Sequence, residues 1–135
     1  MDIVDFFLYL SLSLIFIAFI LQIFSYFLFK NNVHKYDELI SEFRSRNLDL
    51  DIMTNIYSFF GPLFNANKIV YFVDLYNGRK MKLAKGKQIS KQTYHFILSQ
   101  PQGKISWMLK LHVLNVISFC FLFFGVAIGL TFCFI

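Results

Sequence analysis

Charged residues are scarce in this sequence. Only 16% of the residues are Asp, Glu, Lys or Arg, against about 25% in an ordinary soluble domain, while 57% are hydrophobic and 19 are Phe. A chain of 135 residues is long enough for one domain, and a domain of that size has too much surface to bury so many large apolar side chains. The composition therefore excludes a small soluble domain and a disordered chain, and it indicates a membrane protein.

Cysteine, proline and catalytic motifs are also sparse. Two Cys and two Pro exclude a disulfide scaffold and a proline-rich linker protein. The sequence contains no P-loop, no Gly-x-Ser-x-Gly, no His-Glu-x-x-His and no dinucleotide fingerprint. Cys120 and Cys133 lie too far apart along one helix to form a disulfide, and we expect both to be buried as small hydrophobic side chains. We therefore expect a protein that is not an enzyme and that uses no cofactor and no metal.

Two long segments carry no charge, residues 6–29 and residues 113–135. A bilayer core about 30 Å thick needs about 20 helical residues, so each segment is long enough to be a transmembrane helix. A cleaved signal peptide would begin with positive charges, whereas Asp2 and Asp5 stand at this N-terminus. We expect the first segment to remain as an anchor, preceded by a short non-cytoplasmic N-terminus at residues 1–5.

The basic residues are all in the loop between these segments. All 13 Lys and Arg lie between Lys30 and Lys110, together with only six acidic residues. By the positive-inside rule, the loop at residues 30–112 is cytoplasmic and both termini lie on the opposite side. Tyr26, Tyr36 and Trp107 are candidates for aromatic anchors at the membrane interface. The predicted fold class is an all-α membrane protein, with two transmembrane helices joined by a basic, mainly helical cytoplasmic loop domain.

The first half of the loop has two helical patterns. Tyr36, Leu39, Ile40 and Phe43 recur at the spacing of one helix face, which predicts an amphipathic helix that could continue from the first span. A short apolar helix is predicted next, at residues 52–60. Asp49 or Asp51 would cap it, and Gly61 with Pro62 would end it.

Two structures fit the middle of the loop, over residues 68–84. An apolar stripe along residues 69–76 favours a helix, with Asn67 as N-cap and Asn77-Gly78 as the stop. The same Asn-Gly pair, followed by the alternating residues 80–83, also fits a β-hairpin. The helical neighbours favour the helix, and the hairpin remains an alternative.

A further helix is predicted over residues 88–100, closed by Pro101. Its apolar face comprises Ile89, Thr93, Phe96 and Ile97, and from Lys104 the chain is expected to lead straight into the second span. We expect these loop helices to bury too little apolar surface for a strong core of their own. They would then pack on each other against the membrane surface.

The most one-sided feature is a basic cluster, which comprises Arg79, Lys80, Lys82, Lys85, Lys87 and Lys91. No acidic residue follows Asp74. The cluster fits contact with anionic lipid or with a partner, and each such charge near an anionic leaflet contributes about 1 kcal/mol. It also fits a plain topology signal. Nucleic-acid binding is the least favoured reading because no recognised module accompanies it.

Gly125 and Gly129 form a Gly-x-x-x-Gly pattern in the second span, which is typical of closely packed membrane helices. Gln22 in the first span is costly to leave facing lipid, so it marks a buried face. These residues predict helix packing, either on a protein partner or in a homodimer.

Three stretches of the loop carry a family resemblance: residues 46–49 (Arg-Asn-Leu-Asp), residues 57–61 (Tyr-Ser-Phe-Phe-Gly) and residues 67–72 (Asn-Lys-Ile-Val-Tyr-Phe). With the two-span layout, they make the chain resemble the universal stress protein B family, small two-span inner-membrane proteins of bacteria. The resemblance implies a bacterial inner-membrane protein connected with stress tolerance. It implies no functional residues, because the family supplies none.

Together these observations predict a non-enzymatic integral inner-membrane protein that acts by protein or lipid interaction. It would be an accessory subunit of a membrane complex or a stress-related membrane factor. An alternative is an immunity or defence protein against a pore-forming bacteriocin or phage entry. A membrane-tethered nucleic-acid binder is the third hypothesis.

Overall fold

The computed structural model describes residues 2–50, 52–59, 61, 65–81 and 86–134. Of these residues 81% are helical, and none of them lies in a β-strand, so the all-α prediction is confirmed for this part of the chain. The helices are α1 (Ile3–Asn31), α2 (Val33–Ser45), α3 (Ile52–Tyr57), α4 (Asn65–Tyr76), α5 (Lys91–Ser99) and α6 (Gln102–Cys133).

The chain divides into two compact units. One, here called the helix pair, comprises Met1–Phe27 and Val113–Ile135; the other, here called the loop domain, comprises Leu28–His112. The ends of the loop domain lie close to the predicted boundaries at residues 30 and 112.

Both terminal helices are long and apolar enough to cross a membrane. α1 has 29 residues and α6 has 32, and the most apolar window of each has a mean hydropathy of 2.4. Only 11% of each window is buried, whereas the core helix of a soluble protein would be mostly covered. As predicted, the helix of the second apolar segment runs back through Lys104 without a break.

α2 has the predicted amphipathic face, since Tyr36, Leu39, Ile40 and Phe43 are all buried. It is not continuous with α1, contrary to one possibility from the sequence. The chain turns at Asn32, whose side-chain amide donates to the carbonyl oxygen of Leu28 over 2.8 Å. The side chain thereby binds backbone that α1 leaves free at its C-terminal end.

α3 is shorter than predicted, because it ends at Tyr57. The predicted cap by Asp49 is wrong: the Asp49 carboxylate accepts the backbone N–H of Ser90, which precedes α5. The other candidate cap, Asp51, and the predicted stop at Pro62 lie outside the described residues.

α4 resolves the ambiguity of the middle segment in favour of a helix over Asn65–Tyr76. The helix begins before Asn67, so the predicted cap at that residue is wrong. The stop at Asn77-Gly78 is confirmed: Gly78 has a φ of 71°, and the Arg79 N–H donates to the Asp74 carbonyl oxygen over 3.0 Å. This is the Schellman arrangement, which favours glycine because its φ is positive. Residues 82–85 of the hairpin alternative lie outside the described part of the chain.

α5 begins later than predicted, after Ser90, whose side chain accepts the Thr93 N–H as an N-cap. The predicted apolar face is confirmed, because Ile89, Thr93, Phe96 and Ile97 are all buried.

The loop domain has a substantial core of its own, which corrects the expectation of a weak one. Its aromatic rings meet edge to face: the Phe43 ring lies 5.1 Å from that of Phe72 and 5.4 Å from that of Phe96. Among the described residues, seventeen buried hydrophobic side chains belong to this cluster. They come from α2, α4 and α5, from Ile89 just before α5, and from the ends of α1 and α6 that enter the domain. The sequence pattern of each loop helix predicted only a small apolar face. In the folded domain these faces pack against one another, so that together they form one core.

Candidate functional site

Polar side chains line the contact between α1 and α6 in the helix pair. The Ser25 hydroxyl donates to the Asn115 side-chain oxygen over 2.7 Å, and the Gln22 amide donates to the Ser118 hydroxyl over 2.8 Å. Ser118 in turn donates to the carbonyl oxygen of Ala18 over 3.1 Å. These bonds satisfy polar groups that would be costly to expose in lipid. Gln22 is exposed rather than buried, contrary to the prediction, although its amide reaches the contact between the two helices.

Gly125 and Gly129 lie on the same contact. A Cβ added at Gly125 would come within 2.9 Å of the Ile15 side chain, and one at Gly129 within 2.7 Å of the Ser11 hydroxyl. The Ser11 hydroxyl also donates to the Gly125 carbonyl oxygen. This face of α6 is therefore covered by α1 of the same chain.

Sequence reasoning missed Asn115 and Ser118, although both are buried polar residues within the second apolar segment. A signal was present. Asn115, Ser118, Gly125 and Gly129 follow the three-and-four spacing of one helix face. That stripe of small and polar residues is the face that contacts α1.

The outer surface of the helix pair is mostly apolar. Two of its exposed hydroxyl residues bind their own helix backbone, Ser13 the carbonyl of Tyr9 and Thr131 that of Ala127. Cys120 and Cys133 are exposed free cysteines, so the expectation that they are buried is wrong. They lie off the contact with α1.

The three aromatic residues proposed as interfacial anchors have different surroundings. Tyr26 is 41% exposed, as an anchor requires. Trp107 is only 4% exposed; its ring packs 5.7 Å from that of Phe29, and its indole N–H donates to the Lys104 carbonyl oxygen over 2.8 Å. Tyr36 is equally buried. Trp107 and Tyr36 are therefore core residues of the loop domain, because their large apolar rings fill its interior.

The basic cluster divides into paired and unpaired side chains. Arg79 lies 3.6 Å from the Asp74 carboxylate, and Lys87 lies 3.9 Å from that of Asp49. Lys80 and Lys91 are exposed and have no carboxylate within salt-bridge distance in the described structure. Lys82 and Lys85 lie outside the described residues.

Asp49 is the centre of a polar network that ties the end of α2 to α5. Its carboxylate accepts the Ser90 N–H over 2.7 Å, its backbone N–H donates to the Thr93 hydroxyl, and its carbonyl accepts the Tyr71 hydroxyl. Partial burial raises the pKa of Asp49, but the hydrogen bonds from Ser90 and the charge of Lys87 outweigh it, so that the pKa lies below its usual value. The network holds Asp49 as a carboxylate.

Two other titratable groups are buried where α2 and α4 meet the end of α1. Burial raises the pKa of Tyr36, and the charge of Asp37 adds to this effect; the Tyr36 hydroxyl has no hydrogen-bond partner among the described residues. The Lys68 ammonium lies 5.2 Å from the centre of the Phe29 ring and donates to the Asn65 side-chain oxygen over 3.3 Å. Burial lowers the pKa of Lys68.

One side of the short helix α3 and the turn after it presents large apolar side chains to the surroundings. Ile52, Met53, Ile56 and Phe59 are all exposed, Phe59 to 74%. The Arg44 guanidinium lies 4.9 Å from the centre of the Phe59 ring. We call these four side chains the α3 face; the sequence predicted an apolar helix here but not its exposure.

No group of three or more His, Cys, Asp or Glu side chains that could hold a metal occurs among the described residues. No protein-family model, curated protein or solved structure matches the chain.

Proposed function

We propose that the chain is a non-enzymatic integral protein of the bacterial inner membrane that acts by protein or lipid interaction, as an accessory subunit of a membrane complex or a stress-related membrane factor. The observation that carries this proposal is the α3 face. The loop domain has a buried hydrophobic core, yet it exposes four large apolar side chains on the α3 face. Exposed apolar patches of this kind mark interaction sites.

The helix pair supports membrane insertion. Its exposed side chains are mostly apolar, and polar groups of the two helices bond to each other where the helices meet. A helix pair in lipid needs this distribution, because unpaired polar groups are costly there. The charge distribution supports a cytoplasmic loop domain, since all 13 basic residues lie between Lys30 and Lys110. The link to stress rests on the resemblance alone.

Insertion and orientation are tested by extraction and labelling. The chain should stay with membranes in alkaline carbonate. A membrane-impermeant maleimide added from the periplasmic side should label Cys133, and it should spare a Gln92→Cys residue in a Cys133→Ser background. Both cysteine positions are exposed, so a difference reports their side of the membrane. Labelling of Gln92→Cys alone would reverse the proposed orientation.

Interaction through the α3 face is tested in native membranes. A tagged chain is photo-crosslinked, purified in mild detergent and analysed by mass spectrometry for associated proteins and lipids. The variant Met53→Ser/Phe59→Ser should lose the crosslinked product, because both side chains are exposed on this face. The control Phe123→Ser/Phe124→Ser changes two exposed rings on α6 instead. An unchanged product in the α3 variant would contradict the proposal.

A further inference from the structure

A groove runs along the loop domain between the end of α4 and the side of α5. It has a volume of about 520 Å³, within the range of about 300–1,000 Å³ common for ligand sites. Its lining residues are Gly78, Lys80, Met81, Gln88, Ile89, Lys91, Tyr94 and Leu98.

The walls of the groove are apolar and held in place. Ile89 is part of the buried core, and the Tyr94 ring is fixed by the hydrogen bond from its hydroxyl to the Arg79 carbonyl oxygen. Leu98 is 59% exposed at the side of the groove. With the Tyr94 hydroxyl already bonded, these walls offer contact to a hydrocarbon chain rather than hydrogen bonds.

The rim of the groove is cationic. Lys80 and Lys91 are the two described members of the basic cluster that have no carboxylate within salt-bridge distance among the described residues. No Asp or Glu is among the described residues that line the groove. A lysine ammonium binds phosphate as a point charge, so the rim complements an anion whose apolar part lies along the walls.

We propose that this groove binds an acidic phospholipid, with its phosphate between Lys80 and Lys91 and an acyl chain against Met81, Tyr94 and Leu98. Among anionic amphiphiles a phospholipid is favoured because both ends of the loop domain continue directly into the apolar helices α1 and α6. The choice of lipid rests on the proposed function. The groove itself requires only that its ligand carry a negative charge and an elongated apolar part.

The test uses the full chain in a non-ionic detergent and native mass spectrometry. Phosphatidylglycerol should bind one to one, and phosphatidylcholine with the same acyl chains should bind more weakly. Lys80→Gln/Lys91→Gln should weaken phosphatidylglycerol binding by roughly 30-fold, the effect of two charges near a headgroup. Leu98→Ser should weaken it by roughly threefold to tenfold through lost apolar contact. Unchanged Trp107 fluorescence would show that the variants fold.

A matched control removes the same charge elsewhere. Lys30→Gln/Lys110→Gln changes two exposed lysines outside the groove and should leave binding within twofold. An equal loss in this control would overturn the proposal, because binding would then follow overall charge. Displacement of the lipid by glycerol 3-phosphate, by an acidic peptide or by single-stranded DNA at comparable concentration would also overturn it, and would identify the occupant as a free phosphate or another polymer.

The two proposals fail separately. Release of the chain by alkaline carbonate would contradict membrane insertion, and it leaves the lipid-binding measurement in detergent unaffected. Firm retention in membranes with no preference for phosphatidylglycerol would contradict the groove proposal alone.

Discussion

The Ser25 hydroxyl donates a hydrogen bond to the Asn115 side-chain oxygen over 2.7 Å, and both side chains are buried between α1 and α6. The two residues are 90 positions apart in the sequence. Each lies in an apolar segment whose composition indicates a membrane span. The spacing of polar and small residues indicates the contacting face of α6, but neither segment by itself shows which residue of the other helix a side chain meets. This bond and the neighbouring one from Gln22 to Ser118 therefore define how the helices pair.

Removing the Asn115 side chain is expected to weaken the helix pair. Asn115→Ala leaves the Ser25 hydroxyl without its acceptor, and hydrogen bonds between membrane helices contribute about 0.6 kcal/mol on average and up to about 1.7 kcal/mol. The measurement is the SDS concentration at which the two helices separate. Separation is monitored by the loss of fluorescence energy transfer between labels at Cys133 and at an Asp2→Cys residue in a Cys120→Ser background. Ser13→Ala is the control, because that hydroxyl binds only its own helix, and equal losses in the two variants would contradict the prediction.

Enlarging Gly125 is expected to separate α1 from α6 without changing the oligomeric state. A Cβ in Gly125→Ala lies 2.9 Å from the Ile15 side chain and 3.2 Å from the Ser11 carbonyl oxygen, so both neighbours on α1 have to give way. The same SDS assay should show lower resistance, and analytical ultracentrifugation in detergent should show no change in mass. Val126→Leu, on an exposed position of the same helix, serves as control. Conversion of a dimer to a monomer by Gly125→Ala would show that the glycines contact a second chain.

Loss of a core ring should destabilise the loop domain strongly. Phe43 is 1% exposed and packs on Phe72 and Phe96, so Phe43→Ala is expected to cost about 3–5 kcal/mol. Trp107 is the only tryptophan and is buried in this core, so its fluorescence during urea unfolding of the full chain in detergent measures the effect. Phe59→Ala removes an equal ring from the exposed α3 face and should shift the transition little. Similar shifts for both would contradict the assigned core.

The pH dependence of stability should come in part from Asp49. Its folded-state pKa lies below the unfolded value, so its contribution is present at neutral pH and is lost as the pH falls through about 4 towards the folded pKa. Asp49→Asn should lower the urea midpoint, measured by Trp107 fluorescence, at pH 7. The midpoint of this variant should then fall less between pH 7 and pH 3 than that of the unmodified chain. The control Glu42→Gln removes an exposed carboxylate that pairs with Arg46 at 4.0 Å, and it should leave the decline unchanged. An unaltered pH profile in Asp49→Asn would contradict the role of the network.

Local patterns predicted most helices of the loop domain because such patterns need only near neighbours. The spacing of Tyr36, Leu39, Ile40 and Phe43 identified the buried face of α2, since residues three and four apart share one side of a helix. Helix ends were predicted less well. Asp49 looked like a cap for α3, yet its carboxylate binds Ser90, a residue 41 positions away.

The amino-acid sequence by itself determined the helical class, the two apolar terminal segments and the buried faces of α2 and α5, because composition and periodicity act over a few turns. Only the tertiary structure decided that Gly125 packs on Ser11, that Trp107 belongs to a core and that the α3 face stays exposed. It also decided which lysines have a carboxylate partner, and so left Lys80 and Lys91 at the rim of a groove. Each of these outcomes depends on contacts between segments far apart in the chain. For these residues local sequence does not decide which apolar face becomes buried, and the packing of distant segments does.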